Sequence, residues 1–205
     1  MRLVVLVLWL ASLALPAAAE TVTIVALGDS LTAGYKLAPG EGFPAQLERA
    51  LKDKGYDVKV IDAGVSGDTT SGGLSRLDWS VGEDADAVIL ELGANDALRG
   101  LPPETTAKNL TAIVDRLEAR GLPVLLAGML APPNLGEAYG AAFTAVYEDL
   151  ATRDLVFYPF FLDGVAADPA LTLDDGMHPT AEGIGIIVKK ILPKVEALIA
   201  KVKGA

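Results

Sequence analysis

The 205-residue chain has no cysteine, so neither a disulfide nor a thiolate-held metal can staple its fold. It has one histidine, His178, which leaves zinc with hardly a nitrogen ligand. No run of Lys or Arg offsets the 27 acidic residues, and the formal net charge is −10. That charge argues against binding nucleic acid or an anionic membrane surface, since both need a basic patch. Repeats, low-complexity tracts and long linkers are missing as well. A hydrophobic core must hold the fold alone. The length allows it, because one domain of this size buries roughly 70% of the surface its unfolded chain exposes.

Residues 1–19 form a separate unit. Arg2 starts it, Leu3 to Leu15 is almost unbroken apolar sequence, and Ala17-Ala18-Ala19 precedes Glu20. A basic start, a short apolar stretch and small residues at the cut have the anatomy of a secretory signal peptide. As a helix rising about 1.5 Å per residue, Leu3–Leu15 would span ~20 Å, short of the ~30 Å hydrocarbon core. The expectation is cleavage after Ala19 and a periplasmic or secreted domain over 20–205 that keeps no membrane span. Without cysteine, the lipid-modified-cysteine form of export is excluded. Losing Arg2, the only charge in that segment, takes the net charge to −11.

From Thr21 onward, short apolar runs alternate with amphipathic ones. Val22–Leu27, Val58–Ile61, Ala87–Leu92, Val124–Ala127 and, more weakly, Leu155–Phe157 read as strands. Several are nearly continuous in Val, Ile and Leu, as strands covered on both faces must be. Between them Leu110, Ile113, Val114 and Leu117 follow helical spacing, as do Ile184, Ile187, Val188, Ile191, Val195 and Leu198 near the end. Alternation of this kind predicts an α/β fold with a parallel sheet of about five strands and helices on both faces. Ligands of such sheets bind beyond the carboxyl ends of the strands.

Polar, glycine-bearing segments follow three of those strands. The first, Gly28-Asp29-Ser30-Leu31-Thr32-Ala33-Gly34-Tyr35, puts a serine on a tight turn where its hydroxyl and its own N–H can face a substrate. On its own it reads equally well as a strand-to-helix turn with Ser30 as the N-cap. No GxGxxG or GxxxxGK[ST] accompanies it, which weakens a phosphate cradle. The second, Gly64-Val65-Ser66-Gly67-Asp68-Thr69-Thr70, has a glycine at 67 that lets backbone approach a reacting group. In the third, Gly93-Ala94-Asn95-Asp96, the Asn95 amide can donate to developing negative charge and Asp96 can orient the loop. Ordinary turn chemistry explains either segment taken singly.

A fourth segment, Asp174-Asp175-Gly176-Met177-His178-Pro179-Thr180, carries the lone histidine with Asp175 three residues before it. That gap can bring the carboxylate to one imidazole nitrogen while the other faces a nucleophile. Pro179 favours extended backbone at His178 and delays the last helix to Thr180.

In this order the four segments resemble the blocks of the SGNH, or GDSL, hydrolase family: GDSLTAGY, VSGDTT, GAND and DDGMHP. LGANDALRG and GMLAPPNLGEAY are similar to its bacterial arylesterase, lysophospholipase and acyl-thioesterase branch. The resemblance covers nearly all of 21–200 and departs from the pattern at no block position. It implies a flavodoxin-like three-layer α/β/α sandwich. It also implies Ser30 as nucleophile, His178 as general base and Asp175, rather than Asp174, as the residue that holds the imidazole. The N–H groups of Ser30 and Gly67 and the Asn95 amide would form the oxyanion hole, with Asp29 and Asp96 in support. The implied reaction is carboxylic ester hydrolysis through an acyl-enzyme, on small-molecule or lipid substrates, without metal or organic cofactor. Two other readings are a carbohydrate acetyl esterase and a non-catalytic extracellular binding module. The apolar Leu98, Leu101 and Met129-Leu130-Ala131-Pro132-Pro133 favour acyl chains over sugars, and the intact set of site residues disfavours a pure binder.

Overall fold

The computed structural model describes residues 21–204. The expected signal peptide and its cleavage point lie outside them. Strands β1 (Val22–Gly28), β2 (Val58–Gly64), β3 (Ala87–Glu91), β4 (Val124–Ala127) and β5 (Val156–Tyr158) form one sheet. Its order is β2-β1-β3-β4-β5, and every pair is parallel.

Among the described residues there are seven α-helices: α1 (Ser30–Ala33), α2 (Phe43–Asp53), α3 (Thr70–Ser80), α4 (Ala94–Leu98), α5 (Pro103–Ala119), α6 (Glu137–Leu150) and α7 (Ala181–Lys203). The chain leaves β1 for β2 on one side and then crosses to β3 on the other. Right-handed crossovers in opposite directions place their helices on opposite faces. Accordingly α2 packs with α7 in one layer, while α3, α5 and α6 pack together in the other. Helices on both faces, as the alternation predicts, make the three-layer α/β/α sandwich that the resemblance implies.

Burial explains the strand composition. All residues of β3 and β4 are buried, so those strands read as unbroken apolar sequence apart from Glu91. At the sheet edge, β2 buries Val58 and Val60 but exposes Lys59 and Asp62. The apolar stripes of α5 and α7 are likewise buried, from Leu110 to Leu117 and from Ile184 to Ile199. Thr180 caps α7 by accepting from the Gly183 N–H at 3.1 Å, which fixes the delayed start that Pro179 suggests. Boundaries differ by a residue or more: β1 and β2 run on to Gly28 and Gly64, β3 stops at Glu91, and β5 is displaced to Val156–Tyr158. Among the described residues no helix is long and apolar enough to cross a membrane.

Reversal of the chain's direction at β1 opens a crevice between the carboxyl ends of β1 and β3. Register sharpens this, since Gly28 pairs with Gly64 on one side and with Glu91 on the other. The loops after all three strands therefore leave the sheet at one level.

Candidate active site

At the end of β1 the chain turns directly into α1. Asp29, not Ser30, is the N-cap: its Oδ1 accepts from the Leu31 N–H at 2.9 Å. This frees the Ser30 hydroxyl to face outward. Gly28 is needed just before the turn, because a Cβ there would lie 2.0 Å from Thr32 Oγ1 and 2.7 Å from Glu91 Oε2. The strand end, the serine turn and Glu91 are thus packed as one unit.

Ser30 Oγ lies 2.9 Å from His178 Nε2, although 148 residues separate them. On the far side of the ring, His178 Nδ1 is 2.9 Å from Asp175 Oδ2. A carboxylate at Nδ1 fixes the proton there, which leaves Nε2 to accept from the serine hydroxyl. Asp175 Oδ1 accepts the backbone N–H groups of His178 at 2.9 Å and Met177 at 3.0 Å. These two donors, more than the imidazole, hold the Asp175 carboxyl well below the usual carboxylate range. The three-residue spacing therefore sets loop shape and charge together. The Tyr35 ring packs on the imidazole, with centroids 4.4 Å apart.

Ser30, Gly67 and Asn95 line one cleft of about 610 Å³. Gly67 adopts φ +83°, a conformation that favours glycine, and its carbonyl accepts from Arg99 Nη2 at 2.7 Å. Among the described residues, neither the Ser30 nor the Gly67 N–H has an acceptor. Arg76 is buried beneath them. It donates to Gly28 O and Ala63 O, each at 2.8 Å, and to Asp68 Oδ2 at 2.6 Å, tying the ends of β1 and β2 to the Gly67 loop. Asp96 accepts from the Thr70 N–H at 2.8 Å, from Thr70 Oγ1 at 2.5 Å and from Thr106 Oγ1 at 3.3 Å. It thereby anchors α4, on which Asn95 stands, to α3 and α5.

Asn95 Nδ2 donates to Asp29 Oδ2 at 2.9 Å. Burial pushes the Asp29 carboxyl up to about 6, against the pull of the Leu31 N–H and the Asn95 amide. Below it sits Glu91, fully buried at the end of β3. Its Oε2 accepts from Thr32 Oγ1 at 2.8 Å and faces the Asp29 N–H at 3.4 Å, while Oε1 has no partner among the described residues. Burial, and then the neighbouring Asp29 charge, raise the Glu91 carboxyl well above its ordinary range, so it stays protonated.

A group protonated in the folded state and ionised in the unfolded one must take up a proton on folding. Its presence therefore lowers stability as pH rises from the unfolded pKa toward the folded one. Glu91→Gln should remove this dependence while its amide oxygen still accepts from Thr32. The expected gain grows as pH rises above the ordinary glutamate range of about 4.3, by at most ~1.4 kcal/mol per pH unit. Urea melts at several pH values test this, and a difference independent of pH would refute it.

The cleft walls are apolar. Leu98, Met129, Leu130, Pro132, Phe160 and Leu162 line them, and Leu98 and Leu130 are also among the exposed large side chains. Leu98 and the 129–133 segment are legible in the sequence as apolar neighbours of the site, whereas Phe160 and Leu162 are not. Leu101, expected beside them, lies outside the cleft lining, and its carbonyl accepts from the Tyr139 hydroxyl. Tyr35 and Arg99 lie within the segments that carry the resemblance but have no role legible in the sequence, and neither do Glu91 and Arg76. The one available signal was Glu91, a charged residue inside the apolar run Ala87–Leu92.

Similarity to known proteins covers most of the chain. It is 38% identical over 185 residues to the esterase TesA of Pseudomonas aeruginosa, spanning 89% of this chain and 91% of that one. It is 40% identical over 183 residues to an arylesterase of Vibrio mimicus, spanning 88% and 90%. The crystal structure of AlinE4, an SGNH-hydrolase family esterase, superposes with a TM-score of 0.75 at 44% identity, covering 88% of this chain and 98% of that one. Residues 26–185 match the GDSL-like Lipase/Acylhydrolase family, and with relatives of this identity and coverage the chain belongs to it.

Proposed function

We propose that the chain is an exported serine hydrolase of carboxylic esters, acting through an acyl-enzyme on Ser30. The observation that carries this reading is the unbroken line from Ser30 Oγ through His178 to the Asp175 carboxylate. Ser30 Oγ attacks the ester carbonyl carbon as its proton passes to His178 Nε2. The carbonyl oxygen becomes an oxyanion that the N–H groups of Ser30 and Gly67 and the Asn95 amide can receive. His178 then gives its proton to the departing alcohol, leaving Ser30 acylated. Water repeats the sequence in reverse roles, with the imidazole again taking and returning one proton.

The apolar walls of the cleft support acyl or aryl groups on the substrate, as the names of the related esterase and arylesterase do. They count against a carbohydrate acetyl esterase, whose sugar would need polar partners there. A panel of p-nitrophenyl esters of increasing chain length, beside an acetylated sugar and a lysophospholipid, tests the assignment. The expected result is kcat/KM rising from acetyl to longer acyl chains, each added methylene contributing up to ~0.8 kcal/mol. Preference for the acetylated sugar would overturn it.

Export rests on the composition of residues 1–19 and implies a mature protein starting at Glu20. The mass of the natively exported protein checks this, and retention of Met1 or Arg2 would refute cleavage.

A further inference from the structure

We propose that Asp29 is a positioning residue of the oxyanion hole: its carboxylate holds the Asn95 amide donor-side toward the reacting carbonyl, giving the hole an ionisation of its own. The inference rests on the roles of Ser30 and Asn95 proposed above.

The Asn95 amide carries two hydrogens. Asp29 Oδ2, 2.9 Å from Nδ2, holds one and leaves the other for the cleft that both residues line. While Asp29 is ionised the amide has only this orientation, because turned half about it would set Oδ1 against a carboxylate oxygen. Once Asp29 is protonated, the reversed pairing becomes the better one: the carboxyl O–H donates to Asn95 Oδ1. A lone pair then replaces the N–H at the hole, where it repels developing negative charge. Oδ1 of Asp29 stays engaged with the Leu31 N–H, so the carboxyl cannot turn aside to avoid the choice.

The groups facing Asp29 set where this happens. Glu91, from β3, is the more deeply buried carboxyl and keeps its proton. Asp68, from the loop before α3, adds a like charge, and its own carboxylate occupies the Arg76 side chain of α3. His178, from the loop before α7, favours the carboxylate when protonated, and Tyr147 of α6 is a neutral phenol nearby. Burial outweighs the favourable partners and lifts Asp29 to about 6. Productive enzyme must therefore have lost two protons, one from His178 and one from Asp29.

The test compares pH profiles in the wild type and in Asn95→Ala. Well below pH 6, log kcat/KM of the wild type should fall with a slope approaching about two. Asn95→Ala should lower kcat by about 10²–10³ with little change in KM. It should also fall with a slope of about one, because Asp29 no longer has an amide to hold. Asp29→Asn should show the same loss in kcat, and the double variant should lose no more than either single one. Full kcat in Asn95→Ala would remove the oxyanion reading, and this inference with it. A large loss in Asn95→Ala with an unchanged slope of two would overturn this inference alone. So would a wild-type slope of one, or a folded Asp29→Asn enzyme with full kcat. The two pH profiles decide the matter even where Asp29→Asn does not fold.

Discussion

Replacing Ser30 by alanine is expected to lower kcat by on the order of 10⁶, with folding stability within ~0.5 kcal/mol of the parent. Both halves follow from where the hydroxyl sits. Ser30 Oγ points into the cleft toward His178 Nε2 and fills no space in the core. The turn is held instead by Asp29, which caps α1, and by the close contact of Gly28 with Thr32. Nothing in that frame depends on the lost oxygen. With no cysteine in the chain, a serine-directed phosphonate meets no competing thiol and should label Ser30 alone. Labelling should vanish in Ser30→Ala, and the thermal melt should superpose on that of the parent. Retention of more than about a tenth of the rate would remove Ser30 as nucleophile.

How much of this was legible beforehand depends on the distance over which each interaction acts. The sheet was legible because strands buried on both faces must be apolar throughout, and β3 and β4 are. The contact between Asp175 and His178 was legible because three residues and one turn bring it about. Strand ends were harder: whether β1 stops at Leu27 or Gly28 is decided by its pairing with Gly64 and Glu91, which local composition does not reveal. Polar groups beneath the site were hidden for the same reason. Glu91 meets Asp29 and Thr32 across 62 and 59 residues, and Arg76 reaches Gly28 across 48. The parallel sheet brings these groups together at one level, so a buried charged residue becomes intelligible only once the register is known. Even Asp29, legible as a neighbour of Ser30, shows its contact with Asn95 only when β1 and β3 lie side by side.

Asp175→Asn is expected to lower kcat by on the order of 10⁴ while leaving the loop around His178 in place. The two oxygens of Asp175 do different work. Oδ1 accepts the N–H groups of Met177 and His178, and an asparagine Oδ1 accepts them equally well. Oδ2 faces His178 Nδ1, and there the substitution puts an NH₂. Two donors cannot face each other, so the imidazole shifts its proton to Nε2 and offers Nδ1 as the acceptor. Nε2–H then points at Ser30 Oγ and can no longer take the serine proton. The positive imidazolium that the proposed acylation step forms also loses its counter-charge. Because the loop donors hold the native Asp175 well below the usual carboxylate range, it stays ionised wherever activity is measured and adds no acid limb of its own. The imidazole NMR spectrum should therefore report the Nδ1–H tautomer in the parent and the Nε2–H tautomer in Asp175→Asn, with melts that coincide. A loss of tenfold or less, with the tautomer unchanged, would leave His178 without need of Asp175 and would break the triad reading at its outer member.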